Sequence, residues 1–128
     1  MLEILCKRAV VETAARQPIL EKNRKLVHRS APLPAITSIA KTLGAPSVSP
    51  QTLALAQEQL ESVTVVSDEE AVQALQFILE RLKILTEPAA SCTLAAASRL
   101  KNQFDQDNNV VLILCGGNLS LNDLCRYI

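Results

Sequence analysis

"VVLILCGGNLSL", Val110–Leu121, is the stretch whose reading decides the fold. Its first five residues are apolar without alternation. A half-buried strand alternates between apolar and polar residues, whereas a continuous apolar strand belongs in the middle of a parallel sheet covered on both faces. The run leads into Cys115, Gly116, Gly117 and Asn118, and two of the chain's three glycines sit there. In open parallel sheets, small molecules bind just beyond the carboxyl ends of the strands. Glycine permits positive φ and a close approach of backbone to a ligand. Asparagine holds turns through its side chain. The segment therefore has the address of a binding site. A strand that ends in cysteine and a glycine turn is also a common packing arrangement, and the residues alone leave both readings open.

The segments on either side supply the alternation that a parallel sheet needs. Arg8–Glu12, "RAVVE", reads as a strand, and Val63–Val66, "VTVV", as a second. Residues 14–34 are basic and interrupted by Pro18, Pro32 and Pro34, which reads as an irregular connecting segment. "AITSIAKTLGAP" places Ile36, Ile39, Ala40 and Leu43 on one face and stops at Gly44 and Pro46, which predicts a short helix with a glycine C-terminal signal. Ser49 and Pro50 open a further helix. Ser67 and Glu70 form a capping box ahead of a helix over 68–82, with Val72, Leu75, Ile78, Leu79 and Leu82 as its apolar stripe against the sheet. Pro88 starts a helix of small residues from Ala89 to Ala97, able to lie close to a sheet or a ligand. "SLNDLCRYI" closes the chain as a short helix. The order is strand, helix, helix, strand, helix, helix, strand, helix, which predicts one α/β domain over 1–128 with a parallel sheet and flanking helices.

Composition narrows the function classes. The 128 residues balance 13 Lys+Arg against 13 Asp+Glu, so no basic surface for nucleic acid or anionic membrane is indicated. Aromatic residues make up 2%, which removes the usual platforms for stacking bases. No apolar run has the length of a membrane span, and the N-terminus lacks a signal-peptide layout, so a cytoplasmic location is the expectation. Cys6, Cys92, Cys115 and Cys125 lack metal-site or disulfide spacing, and Cys6, Cys92 and Cys125 read as reduced, mostly buried thiols. His28 has no acidic or cysteine partner nearby in sequence and reads as solvated.

Four segments in order, "LPAITSIAKTLGA" (Leu33–Ala45), "VVSDEEAVQAL" (Val65–Leu75), "ILTEPAASCTLAA" (Ile84–Ala96) and "VVLILCGGNLSL", together resemble the C-terminal part of the serine/threonine dehydratases, closest to the animal-type L-serine dehydratases. These are pyridoxal-phosphate (PLP) enzymes of fold type II, the tryptophan synthase β-like fold. Residues 33–128 carry the resemblance, with a weaker match at "AVVET" (Ala9–Thr13). It implies a partial three-layer α/β architecture, the C-terminal part of the large domain of such an enzyme. It also implies β-elimination from L-serine or L-threonine to a 2-oxo acid and ammonia, in an oligomeric enzyme. Cys115 matches the small polar residue that faces the pyridine nitrogen of pyridoxal 5'-phosphate, and Gly116 and Gly117 match the wall beside the ring. Glu12 matches an acid near a monovalent-cation site of the K+ type, and the carbonyls of Leu43 and Ala45 match backbone ligands of that site. The family has small residues after the acid, whereas this chain has Arg16 and Pro18. Glu87, ahead of Pro88, reads either as an acid serving the helix dipole or as an active-site group.

Two elements of that family are not found in these 128 residues: the Schiff-base lysine in a Ser-x-Lys-x-Arg-Gly-like segment, and the tetraglycine loop that cradles the phosphate. The six lysines (Lys7, Lys22, Lys25, Lys41, Lys83 and Lys101) lie in polar settings, and three glycines build no such loop. Three readings follow. The chain is part of a dehydratase completed by an N-terminal part. Or it is a non-catalytic remnant or splice product that partners a full-length subunit. Or it is an independent small α/β binding domain. In the first two it exposes apolar sheet surface and associates readily.

Overall fold

Two parallel strands and the helix laid across them form the frame of the computed structural model, which describes residues 10–13, 35–44, 47, 49–59 and 63–127. The β-branched runs pair as expected. Strand β1 (Val10–Thr13) lies parallel to β2 (Val63–Val66), in a register that sets Val10 opposite Val63 and Thr13 opposite Val66. Parallel strands need a long crossover, and helix α1 (Pro50–Gln59) lies within it. Ser49 caps α1 by accepting the Thr52 N–H at 3.1 Å, with Pro50 in the first turn, where its missing N–H costs nothing. Cys6, His28, Ala45 and the connecting segment 14–34 fall outside the described residues.

Helix α2 (Asp68–Phe77) begins with the predicted capping box. The Ser67 hydroxyl accepts the Glu70 N–H at 3.2 Å, and the Glu70 carboxylate accepts the Ser67 N–H at 2.7 Å. Arg99 adds an ion pair to Glu70 at 2.7 Å and donates to the Val65 carbonyl, so one cap joins β2, α2 and the next helix. Partial burial opposes charge on Glu70, but the Ser67 N–H and hydroxyl and the Arg99 guanidinium outweigh it and hold the carboxyl below its ordinary value. A depressed pKa contributes stability above the unfolded-state value and loses it as pH falls through the native one. Ser67→Ala is expected to cost about 0.5–2 kcal/mol in urea unfolding and to flatten the acid limb of stability, since the lowering partly depends on Ser67.

Helix α3 (Pro88–Leu100) is buried along Pro88, Ala89, Ala90, Ser91, Cys92, Ala95 and Ala96. Its small side chains let it sit against both strands and against α2. The core is correspondingly alanine-rich: Ala40, Val66, Ala71, Ala74, Ala89, Cys92, Ala95 and Ala96, with Leu43 and Leu94 at its margin. The Ser91 hydroxyl stands 2.7 Å from the Ala71 carbonyl, a polar link between α2 and α3 inside this contact. Burial and the Asp68 charge push the Cys92 thiol up to about 11, which keeps it protonated at neutral pH.

The structure corrects several expectations. The α2 stripe packs on α3 rather than directly on the sheet. Of the expected stripe, Leu75 and Ile78 are buried, Val72 and Leu79 are half-buried and Leu82 is exposed; Ala71 and Ala74, outside that stripe, are buried as well. From Ile78 to Leu82 the helix widens into a π turn. The extra residue per turn carries Leu82 off the stripe. The π turn ends on Lys83 at φ 58°, ψ 30°, a left-handed position normally given to glycine. The helix expected before Gly44 is one tight turn, Lys41–Leu43, and Gly44 itself is extended at φ −80°. Val110–Leu114 makes no ladder among the described residues, and Val110, Val111, Leu112 and Ile113 are exposed. An apolar run becomes a strand only when a neighbouring strand accepts its N–H and C=O groups, and the described strands β1 and β2 pair with each other. Cys125 is exposed on α4 (Leu121–Tyr127), contrary to the expected burial. That short helix is capped by Ser120 and docked by Leu124 and by a Gln76 side-chain bond to the Tyr127 carbonyl at 2.8 Å.

Candidate functional site

Three segments meet at the N-terminus of α3: the Lys41–Leu43 turn, Thr86–Glu87, and Cys115–Asn118. The turn is fixed from one side by α2. Asp68 accepts the Ser38 hydroxyl at 2.6 Å and the Ile39 N–H at 3.2 Å. From the other side Thr42 donates its hydroxyl to Glu87 Oε1 at 2.6 Å. Glu87 Oε2 accepts the backbone N–H of Asn118 at 3.0 Å. The Gly116 carbonyl accepts two bonds, from the Thr86 hydroxyl at 2.6 Å and from the Glu87 N–H at 3.1 Å.

Glu87 is 7% exposed, and a charge taken that far from water needs compensation. It has two donors and the positive end of the α3 dipole. It occupies the position that caps α3, as the reading of an acid at a helix start expects, yet its side chain makes no bond to that helix's own N–H groups. It reaches outward to the two neighbouring segments instead. Sequence reasoning missed this bridge, along with Thr42, Thr86 and the Asn118 amide. The only signal was an acid beside Pro88.

The predicted site residues are brought together in part. Cys115 is exposed, and Gly116 and Gly117 follow it into a tight turn closed by the Leu119 N–H on the Gly117 carbonyl at 2.8 Å. Neither glycine has positive φ, so the expected left-handed turn is absent. Gly116 is glycine for another reason: a Cβ there would lie 2.7 Å from Glu87 Cδ and 2.8 Å from Glu87 Oε1. At Gly117 a Cβ would meet only the Leu85 carbonyl, at 3.5 Å. Leu43 sits in the turn beside Thr42, while Ala45 lies outside the described residues. Glu12 pairs with Val65 by backbone register, on the strand beside β2. Among the described residues no three His, Cys, Asp or Glu side chains cluster as metal ligands, and no helix is long and apolar enough to cross a membrane.

A family model described as "Pyridoxal-phosphate dependent enzyme" matches residues 4–116. The chain belongs to this family. It is 43% identical over 101 residues to the L-serine dehydratase/L-threonine deaminase of Mus musculus, a match covering 72% of this chain and 31% of the relative. To a serine dehydratase-like protein of Rattus norvegicus it is 40% identical over 104 residues, 73% of this chain and 31% of the relative. Among solved structures it is similar to a fungal L-serine ammonia-lyase from Rhizomucor miehei, with a TM-score of 0.69 and 26% identity over 77% of this chain and 33% of that one. A threonine deaminase from T.th. shares the fold, with a TM-score of 0.73 and 22% identity over 88% of this chain and 39% of that one. The chain thus spans about a third of the length of the curated relatives it matches. The α/β expectation holds in this family setting, with two strands paired among the described residues.

Proposed function

We propose that the chain supplies the C-terminal part of the large domain of a PLP-dependent L-serine/L-threonine ammonia-lyase. In this reading the Schiff-base lysine and the phosphate loop come from a part outside these 128 residues. The observation that supports it is the family match over residues 4–116, which runs into the Cys115–Gly117 segment read here as one wall of the cofactor site. Its residues suit a flat heteroaromatic ring: an exposed thiol, then two positions without side chains. Pyridoxal 5'-phosphate, when bound, supplies an electron sink for loss of the α-proton and the β-hydroxyl of the substrate.

The chain's own residues do the holding. Cys115 would offer a weak hydrogen-bonding partner to the cofactor ring. Gly116 and Gly117 would let backbone lie beside it. Thr86 and Glu87 fix the Gly116 carbonyl and with it the line of the wall. By resemblance to the family, Glu12 and the carbonyls of Leu43 and Ala45 would hold a monovalent cation of the K+ type. The exposed run Val110–Ile113 supports a partner that adds a strand beside it, either the N-terminal part or a full-length subunit, in a homo-oligomer.

The test is complementation. Purified chain, mixed with an N-terminal part carrying the lysine and glycine elements, is expected to convert L-serine to a 2-oxo acid and ammonia. Cys115→Ala is expected to lower that rate while leaving covalent cofactor attachment intact. Stable association without turnover would assign the chain to the non-catalytic partner role instead.

A further inference from the structure

We propose that Glu87 is a positioning residue that ties the cofactor wall to the Lys41–Leu43 turn, so that the placement of Cys115–Asn118 depends on that turn. The proposal rests on the preceding reading for what the wall faces; the brace itself is a matter of this chain's own contacts. Glu87 is nearly fully buried, and its carboxylate spans from the Thr42 hydroxyl to the Asn118 N–H. Its backbone N–H holds the carbonyl of Gly116, two residues before Asn118. One residue therefore grips the wall at two points. Beyond Glu87 the segment is held by the Thr86 hydroxyl on the Gly116 carbonyl at 2.6 Å and by the Leu119 N–H on the Gly117 carbonyl at 2.8 Å, while Cys115, Gly117 and Asn118 are exposed and Val110–Leu114 is unladdered among the described residues. The absence of a Cβ at Gly116 is what lets the carboxylate approach.

The Lys41–Leu43 turn is the right partner for such a brace. It is pinned to the start of α2 through Asp68, which accepts from Ser38 and Ile39. It also carries Leu43, whose carbonyl the reading above assigns to the cation.

Amide hydrogen exchange on the purified chain tests this, with thiol labelling of Cys115 measured against Cys125. Glu87→Ala leaves the Asn118 N–H without its acceptor and is expected to speed Asn118 exchange by at least about tenfold. Cys115 labelling should rise with it relative to Cys125, while α2 and α3 amides stay protected. Glu87→Gln should stay close to wild type, because an amide can turn its oxygen to Asn118 and its NH2 to the Thr42 oxygen. Thr42→Val removes only the link to the turn and should give an intermediate rise at Asn118. Unchanged Asn118 exchange in a folded Glu87→Ala protein overturns the proposal. If Glu87→Ala does not fold, Thr42→Val decides, and unchanged exchange there overturns it equally. None of these readouts uses the cofactor, so a brace that holds while complementation fails would sink the functional reading alone.

Discussion

Leu75→Ala is expected to destabilise the chain by about 2–5 kcal/mol, the range for emptying a fully buried leucine site. Leu75 has no exposed surface, and it lies one helical turn from Ala71 and from Ile78, both buried on the same face of α2. Its neighbours on that face include alanines with no rotamers to swing into the vacated space, so the cavity term is kept. The facing helix α3 contributes mainly small residues, and its position is fixed by the Ser91 link to Ala71. Urea unfolding followed by far-UV circular dichroism measures the change. A loss below about half a kilocalorie, the level of an ordinary surface change, would mean that Leu75 is not core.

The second large effect is expected at Gly116. Alanine there places a Cβ 2.7 Å from Glu87 Cδ and 2.8 Å from Oε1, closer than real contacts allow. Neither side yields easily. Glu87 is buried and held by Thr42 and Asn118, and the Gly116 carbonyl is held by Thr86 and by the Glu87 N–H. Gly116→Ala should therefore cost about 1–3 kcal/mol, the overpacking range, and should open the wall at Asn118. Gly117→Ala is the control: its Cβ meets one carbonyl at ordinary contact distance, so stability should change little. Equal stability of the two variants would show that the close packing of Gly116 on Glu87 does not exist in solution.

Elements governed by local rules were legible in the sequence. The Ser67–Glu70 box, Pro50 and Pro88 at helix starts, and β1 and β2 as short β-branched runs all depend on residues a few positions apart. The outcome at Val110–Leu114 differs because an apolar run specifies a strand only through a partner that sequence does not display. The α2 stripe was read one residue at a time on a 3.6-residue period, and the π turn at Ile78–Leu82 broke that period. The glycines were expected to offer positive φ or a close approach of backbone to a ligand, whereas neither has positive φ and the close approach seen at Gly116 is to a carboxylate 29 positions earlier in the chain. Contacts of that range, such as Thr42 with Glu87 and Glu87 with Asn118, carry no local signature. The resemblance to dehydratases, carried by four segments in order, reached the family; it did not reach the brace that joins them.

The most direct test of the functional reading is where the cofactor attaches. Purified chain, and chain assembled with an N-terminal part carrying the lysine and glycine elements, would each be incubated with pyridoxal 5'-phosphate, reduced with borohydride, and mapped by peptide mass spectrometry alongside an assay for 2-oxo acid formation from L-serine. The account predicts no turnover and no specific adduct on the chain alone. In the assembly it predicts turnover, with a single adduct on the lysine of the N-terminal part. Serine turnover by the 128-residue chain alone, with the adduct on Lys7, Lys22, Lys25, Lys41, Lys83 or Lys101, would contradict it.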